Sequence, residues 1–230
     1  FLIPSKKHFA WNKKLYADLL GQGISMGLMF SVVSIGTVIL QTSINALGST
    51  IISAQTSARR IMVLALLPII AMNATITTFT SQNFGAKQYK RIVEGLRQAM
   101  TIAITWSIFI SIVLFFASPY LNELITGSND EELIYQASLY LKISSAFYPA
   151  LSILVILRNA LQGLGQKMMP LVSSIIEMLG KILFVIFIIP SAGYLGVIFV
   201  EPILWVVMAA QLYYAYRNEP VIRSLKKKSE

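Results

Sequence analysis

The sequence predicts an all-α, polytopic membrane protein built from six transmembrane helices. Three observations lead there: six long apolar stretches, a composition of 56% apolar against 13% charged residues, and connecting segments that are basic in alternation with ones that are uncharged or acidic. About 20 apolar residues cross the hydrocarbon core as a helix, and only helices or closed barrels satisfy every backbone polar group there. A barrel would need short segments of period-two alternation, whereas Leu, Ile, Val, Met and Phe run on continuously here. The mean hydropathy of +0.68 lies well above ordinary soluble usage.

Each element follows from the same pattern. Residues 1–18 carry Lys6, Lys7, Lys13 and Lys14 and read as a basic cytoplasmic linker. The first span, about 19–44, is apolar up to Gln41, and its connection, Asn45 to Ile51, is uncharged. The second, about 52–82, holds Arg59, Arg60 and Pro68 and runs into Lys87, Lys90 and Arg91. The third, about 96–117, starts at Arg97 and leads to Glu123, Asp130, Glu131 and Glu132. The fourth, about 133–161, has Pro149 in its interior and Arg158 near its end, with Lys167 following. The fifth, about 169–190, lies between Pro170 and Pro190 and contains Glu177 and Lys181; the sixth, about 194–216, contains Glu201 and Pro202. Residues 217–230, with Arg217, Arg223, Lys226, Lys227 and Lys228, form a basic tail. Positive charge therefore collects on one side, which places both termini in the cytoplasm of a cell that holds the chain in its plasma or inner membrane. The same rule accounts for the net charge of +9. Dispersed over loops rather than massed on one helix face, these cations do not form a nucleic-acid surface.

The residue inventory excludes much chemistry. Cysteine is absent and the single histidine, His8, lies in the basic linker, so disulfides, thiol catalysis and His/Cys metal centres have no ligands to work with. No Gly-rich loop ending in Gly-Lys-Ser or Gly-Lys-Thr occurs, which argues against nucleotide hydrolysis. Without an intramembrane histidine or carboxylate cluster, a membrane-embedded transferase or protease is also disfavoured, and no organic cofactor is expected. The opening Phe1-Leu2-Ile3-Pro4 reads as the end of a preceding apolar segment, so the chain is expected to be the second part of a longer polypeptide.

Several strings occur in a suggestive order. Gln82-Asn83-Phe84-Gly85-Ala86-Lys87-Gln88-Tyr89-Lys90-Arg91 follows the second span. Later come Leu157-Arg158-Asn159-Ala160-Leu161-Gln162-Gly163-Leu164-Gly165, Pro170, Glu177 with Lys181, Gly193-Tyr194-Leu195-Gly196-Val197, and Glu201-Pro202-Ile203-Leu204-Trp205. Together they resemble the multidrug and toxic compound extrusion (MATE) family over nearly all of residues 15–216. The resemblance implies one six-helix lobe of a twelve-helix secondary transporter, the C-terminal one, with the N-terminal six-helix lobe as its missing partner. It further implies a Na+- or H+-coupled antiporter that exports drugs or other hydrophobic or cationic small molecules. The chain departs from the family where many relatives have Gly-Leu-Pro, showing Gly23-Ile24-Ser25 instead. Its first span has no acid, so the coupling carboxylate several relatives carry there has no counterpart. A lipid-linked oligosaccharide flippase of similar architecture is the alternative, and an excess of cavity-lining cations would favour it. A transport-incompetent membrane subunit is the third reading.

The residues themselves mark candidate sites. A charge near the bilayer centre costs about 2.5–3.5 kcal/mol on insertion scales unless partnered. At about 1.5 Å per residue, Arg59, Arg60 and Glu201 fall at a similar depth, about 10 Å below the outer surface, and could pair across the second and sixth spans. Glu177 and Lys181 stand one turn apart in the favoured order for a helical ion pair, with Arg158 approaching from the inner side. Such pairs either hold helices in register or line a water-accessible cavity where Glu177 or Glu201 binds a coupling ion or substrate. Gln41, Asn45, Gln55 and Asn73 either bond between helices or line a pathway. Met26, Met29, Phe30, Met62, Met72 and Phe147 are expected on core faces, while Tyr120, Tyr194, Tyr213, Tyr214 and Tyr216 are expected as interfacial anchors. Gly85 is expected to cap its helix in the left-handed conformation, and the Gln162-to-Lys167 string echoes that turn, hinting at an internal duplication.

Overall fold

The structure, a computed structural model, describes residues 12–226, and all regular structure among them is helical. Lys6, Lys7, His8, Lys227 and Lys228 lie outside the described residues. Three long helices come first: α1 (Lys13–Ala46), α2 (Ser49–Gly85) and α3 (Tyr89–Thr126). A pair follows, α4 (Glu131–Ser145) and α5 (Tyr148–Gly163), then α6 (Met168–Leu183), a π-helical turn Phe184–Ile188 and the short α7 (Ile189–Ala192). The long α8 (Tyr194–Asn218) and the terminal α9 (Pro220–Lys226) complete the order. Five helical units are long and apolar enough to cross a bilayer, and α4 with α5 makes a sixth if the bent pair is one span.

The fourth span is thus not the straight helix expected from its apolar run. It bends by 56° between α4 and α5, and Pro149 sits in the first turn of α5 rather than in a helix interior. There its missing N–H leaves no intrahelical bond unmade. The third helix, by contrast, runs through Pro119 to Thr126, beyond the expected end near 117. Asn122 explains the extension: it is buried, accepts a 2.8 Å bond from Ser57 on α2 and donates to the Ser118 carbonyl. A polar residue that marks a membrane exit in sequence is here an interhelical tie. The π-helical turn lies just before Pro190, whose lack of an N–H interrupts the normal ladder.

The core lies where α2, α4, α5 and α8 meet, around Tyr140, Leu141, Tyr148, Leu161 and Ile198. Small residues set the spacing. At Gly180 of α6 a Cβ would collide with Leu204 of α8, and at Gly163 of α5 it would stand 2.8 Å from the Thr77 carbonyl of α2. Helix α1 leans chiefly on α6, with Gly36 against the Met178 backbone. Gln22 and Ser25 donate to the carbonyls of Gly165 and Lys167 near its N-terminal end.

Two turns repeat one geometry. After α2, Lys87 N–H donates to Phe84 and Gln88 N–H to Asn83; after α5, Gly165 N–H donates to Gln162 and Gln166 N–H to Leu161. Both are Schellman caps. The left-handed residue of the first is Lys87 (φ 58°), not Gly85 as the sequence suggested, and that of the second is Gly165 (φ 83°).

Candidate functional site: two polar centres and a cleft

The intramembrane charges gather into two centres. In the first, called the outer centre after the side that the charge pattern assigns it, the Arg59 guanidinium on α2 meets the Glu201 carboxylate on α8 at 2.6 Å, and the buried Tyr140 hydroxyl on α4 donates to the other carboxylate oxygen at 3.1 Å. Three helices are tied by one carboxylate. Nearer the start of α8, Tyr194, expected at the interface, is instead buried and donates to the buried Gln55. The reason is its place at the start of α8, whose first turns face the core cluster rather than the headgroups. Arg60 does not join. It is exposed, next to Val63, Leu64 and Ile125.

The second, the inner centre by the same convention, lies on α6. Glu177 takes a 2.8 Å bond from Lys181 one helical turn on, and its other oxygen stands 3.8 Å from Arg158 of α5. Lys181 is nearly inaccessible and also donates to Thr37 on α1. The sequence brings Glu177 and Lys181 together by spacing alone; Thr37 was not foreseen, because nothing local sets it apart from other helical threonines. Arg158 makes no short bond to oxygen among the described residues. Its Nη2 contacts the Met208 sulfur at 3.5 Å, and its buried Nε has no partner among the described residues.

A cleft of about 440 Å³ opens beside Arg158, between α1, α2 and α5. Its apolar wall includes Met26 and Phe30, which are exposed at 42% and 63%. These two therefore do not pack in the core as expected; α1 turns them toward the cleft because its buried stripe faces α6. Its polar wall is an amide network in which Asn159 donates to Asn73 at 2.8 Å and accepts from Thr77 at 3.1 Å. Gln41 and Asn45 lie elsewhere, paired with each other on an exposed face of α1.

Sequence reading also passed over Lys142. It lies eleven residues into α4, about 16 Å along the helix, and its ammonium stands 5.7 Å from the Phe115 ring centre. A cation inside an apolar run was the available signal. Outside the spans, the buried Glu219 accepts a 2.8 Å bond from Gln166. Burial raises its carboxyl above the ordinary range, while the Gln166 bond pulls the other way. No group of metal-ligating side chains is found among the described residues.

Comparison with known proteins places this geometry. The MatE family model matches residues 25–188. A MATE transporter crystallised in the bent conformation superposes with a TM-score of 0.85 at 21% identity, over 98% of this chain and 50% of that one. The Vibrio cholerae MATE transporter VcmN in its bent form gives 0.83 at 18% identity, over 96% and 50%. A Pyrococcus furiosus MOP superfamily transporter gives 0.82 at 21%, over 96% and 50%. That protein is described as having a binding pocket of reverse polarity that suggests a different function. The chain spans about half the length of these structures, and at such identities the likeness shows the fold alone. No curated protein matches it in sequence.

Proposed function

This chain belongs to the MatE family, a family of transporters rather than enzymes, and from that premise we propose that it is the C-terminal six-helix lobe of a cation-coupled antiporter. Driven by a Na+ or H+ gradient, the full-length protein exports hydrophobic small molecules across the plasma or inner membrane, with both ends of this lobe in the cytoplasm. The observation that carries the reading is the fold of half a transporter with a polar cleft inside its bilayer-crossing helices. Alternating access then needs the absent N-terminal lobe, which closes over this face and rocks against it as bound ion and solute change the balance of outward and inward states.

Within this lobe the two centres take different parts. The Arg59–Glu201–Tyr140 clamp holds α2, α4 and α8 in register. The coupling ion binds a carboxylate of the other lobe, since α1 carries no acid beyond Asp18 near its inner end and Glu177 already faces two cations. A second reading, a flippase for lipid-linked pyrophosphates, is favoured by one observation: the ionisable group on the cleft wall is a cation, Arg158.

The test is dye efflux from vesicles containing the full-length protein under sodium or proton gradients imposed separately. Efflux should stop when one of the two is collapsed. Efflux indifferent to both would remove the antiporter reading.

A further inference from the structure

The interior of this lobe is unbalanced in charge. Within its packed helices, and leaving aside the exposed Arg60, four cations (Arg59, Lys142, Arg158 and Lys181) stand against two carboxylates, Glu177 and Glu201. Glu201 is taken by Arg59 at 2.6 Å. Glu177 is held by Lys181 at 2.8 Å, which leaves Arg158 as the more distant partner at 3.8 Å. A guanidinium offers five N–H donors in a fork that matches carboxylate and phosphate oxygens. Here that fork makes no normal-length bond to any oxygen of the described residues, in a setting where an uncompensated charge is expensive.

The cleft wall around it is rich in unused donors. Asn73 accepts from Asn159 through its oxygen, and its own Nδ2 has no acceptor among the described residues. The Gln162 amide donates only to the Met29 sulfur, at 3.5 Å, a weak acceptor. Arg158, Asn73 and Gln162 line one cleft. Its remaining wall, Met26 and Phe30, suits an apolar body, and methionine repacks readily around varied shapes.

We propose that this cleft binds the anionic head of an amphipathic solute, a carboxylate or phosphate, with Arg158 as its principal ligand, Asn73 and Gln162 as neutral donors, and Met26 and Phe30 against its apolar part. This deepens the transport reading and rests on it, and it sets the substrate class apart from a cationic one. A bound anion competes with Glu177 for Arg158, which stands 3.8 Å from that carboxylate.

The test uses the full-length protein in nanodiscs of neutral lipid, titrated with a dansyl-labelled medium-chain carboxylate, the corresponding phosphate monoester and the matching alkylammonium. Both anions should bind at least about tenfold more tightly than the ammonium, the effect of one charge-assisted bond. Arg158→Gln should remove that discrimination, and Arg158→Lys should keep the sign of it while losing part of the affinity. If Arg158→Gln fails to fold, Gln162→Leu, which leaves the ion pairs intact, should still weaken both anions severalfold and leave the ammonium unchanged. Equal or tighter binding of the ammonium would overturn the inference, as would a Gln162→Leu variant that shifts all three probes alike. A polyprenyl pyrophosphate that displaces the carboxylate probe would assign the head to a lipid source; failure to displace it would assign a soluble amphipathic acid. Gradient-driven efflux, measured separately, bears on the transport reading and not on the sign of the head group.

Discussion

At the outer centre one arginine meets one carboxylate; at the inner centre two cations share one. Glu201 and Arg59 satisfy each other's charge, and Tyr140 fills the remaining carboxylate oxygen. Glu177 is bonded by Lys181 and only approached by Arg158. Both carboxylates are similarly buried, with 13% and 16% of their side chains accessible, so burial does not separate them. Stoichiometry does. A balanced pair inside a membrane is a staple between helices, whereas an unbalanced one leaves a charge free to meet something else.

The strongest way to break this contrast is to unbalance the outer centre. Glu201→Leu strands Arg59 in an apolar interior and should destabilise the full-length protein by about 3–5 kcal/mol, read as a large fall in thermal midpoint. Adding Arg59→Met should restore most of the loss. If Glu201→Leu instead leaves the midpoint unchanged, the outer centre is not a staple.

A smaller effect sharpens the role of helix spacing beside the inner centre. Gly163→Ala would press a methyl to 2.8 Å from the Thr77 carbonyl, between α5 and α2, and should cost about 1–3 kcal/mol while weakening binding in the adjoining cleft. Its counterpart in the first Schellman turn, Gly85, has open space around its Cβ position, so Gly85→Ala should stay within about 0.5 kcal/mol of the parent. Thermal unfolding of the two variants side by side checks both; equal losses would contradict the asymmetry.

Glu219 completes the series as a buried carboxylate with no ion-pair partner among the described residues, only Gln166. Its carboxyl is raised in the folded state, so the folded protein holds this proton more tightly than the unfolded chain does. The group therefore favours the fold once pH falls through its raised value, and that contribution is lost as pH rises. Glu219→Gln should stabilise the protein at neutral pH, by up to about 1 kcal/mol, and the gain should vanish in acid. A gain that persists unchanged in acid would mean the charge is not what is being removed.

Much of this architecture was legible in the sequence because membrane spans are written in length and apolarity, which need no knowledge of neighbours. The relative level of residues on neighbouring helices was legible too. Counting residues placed Arg59 level with Glu201, and helical spacing placed Glu177 against Lys181. What could not be read was azimuth, the direction each helix turns a given side chain. That is why Thr37 and Tyr140 went unforeseen, why Tyr194 proved buried rather than interfacial, and why Met26 and Phe30 line a cleft rather than a core. The break before Pro149 was hidden for a related reason. A proline in the first turn of a new helix and one inside a continuous span have the same local sequence, and it is the 56° bend between α4 and α5 that tells them apart.

The sharpest single test removes the carboxylate that competes for Arg158. In the full-length protein, Glu177→Gln should raise affinity for the dansyl-labelled carboxylate severalfold, because Arg158 then has no other partner to leave. A fall in that affinity, parallel to the fall in Arg158→Gln, would mean that the two residues form a closed structural pair and that the inner centre has no charge to spare.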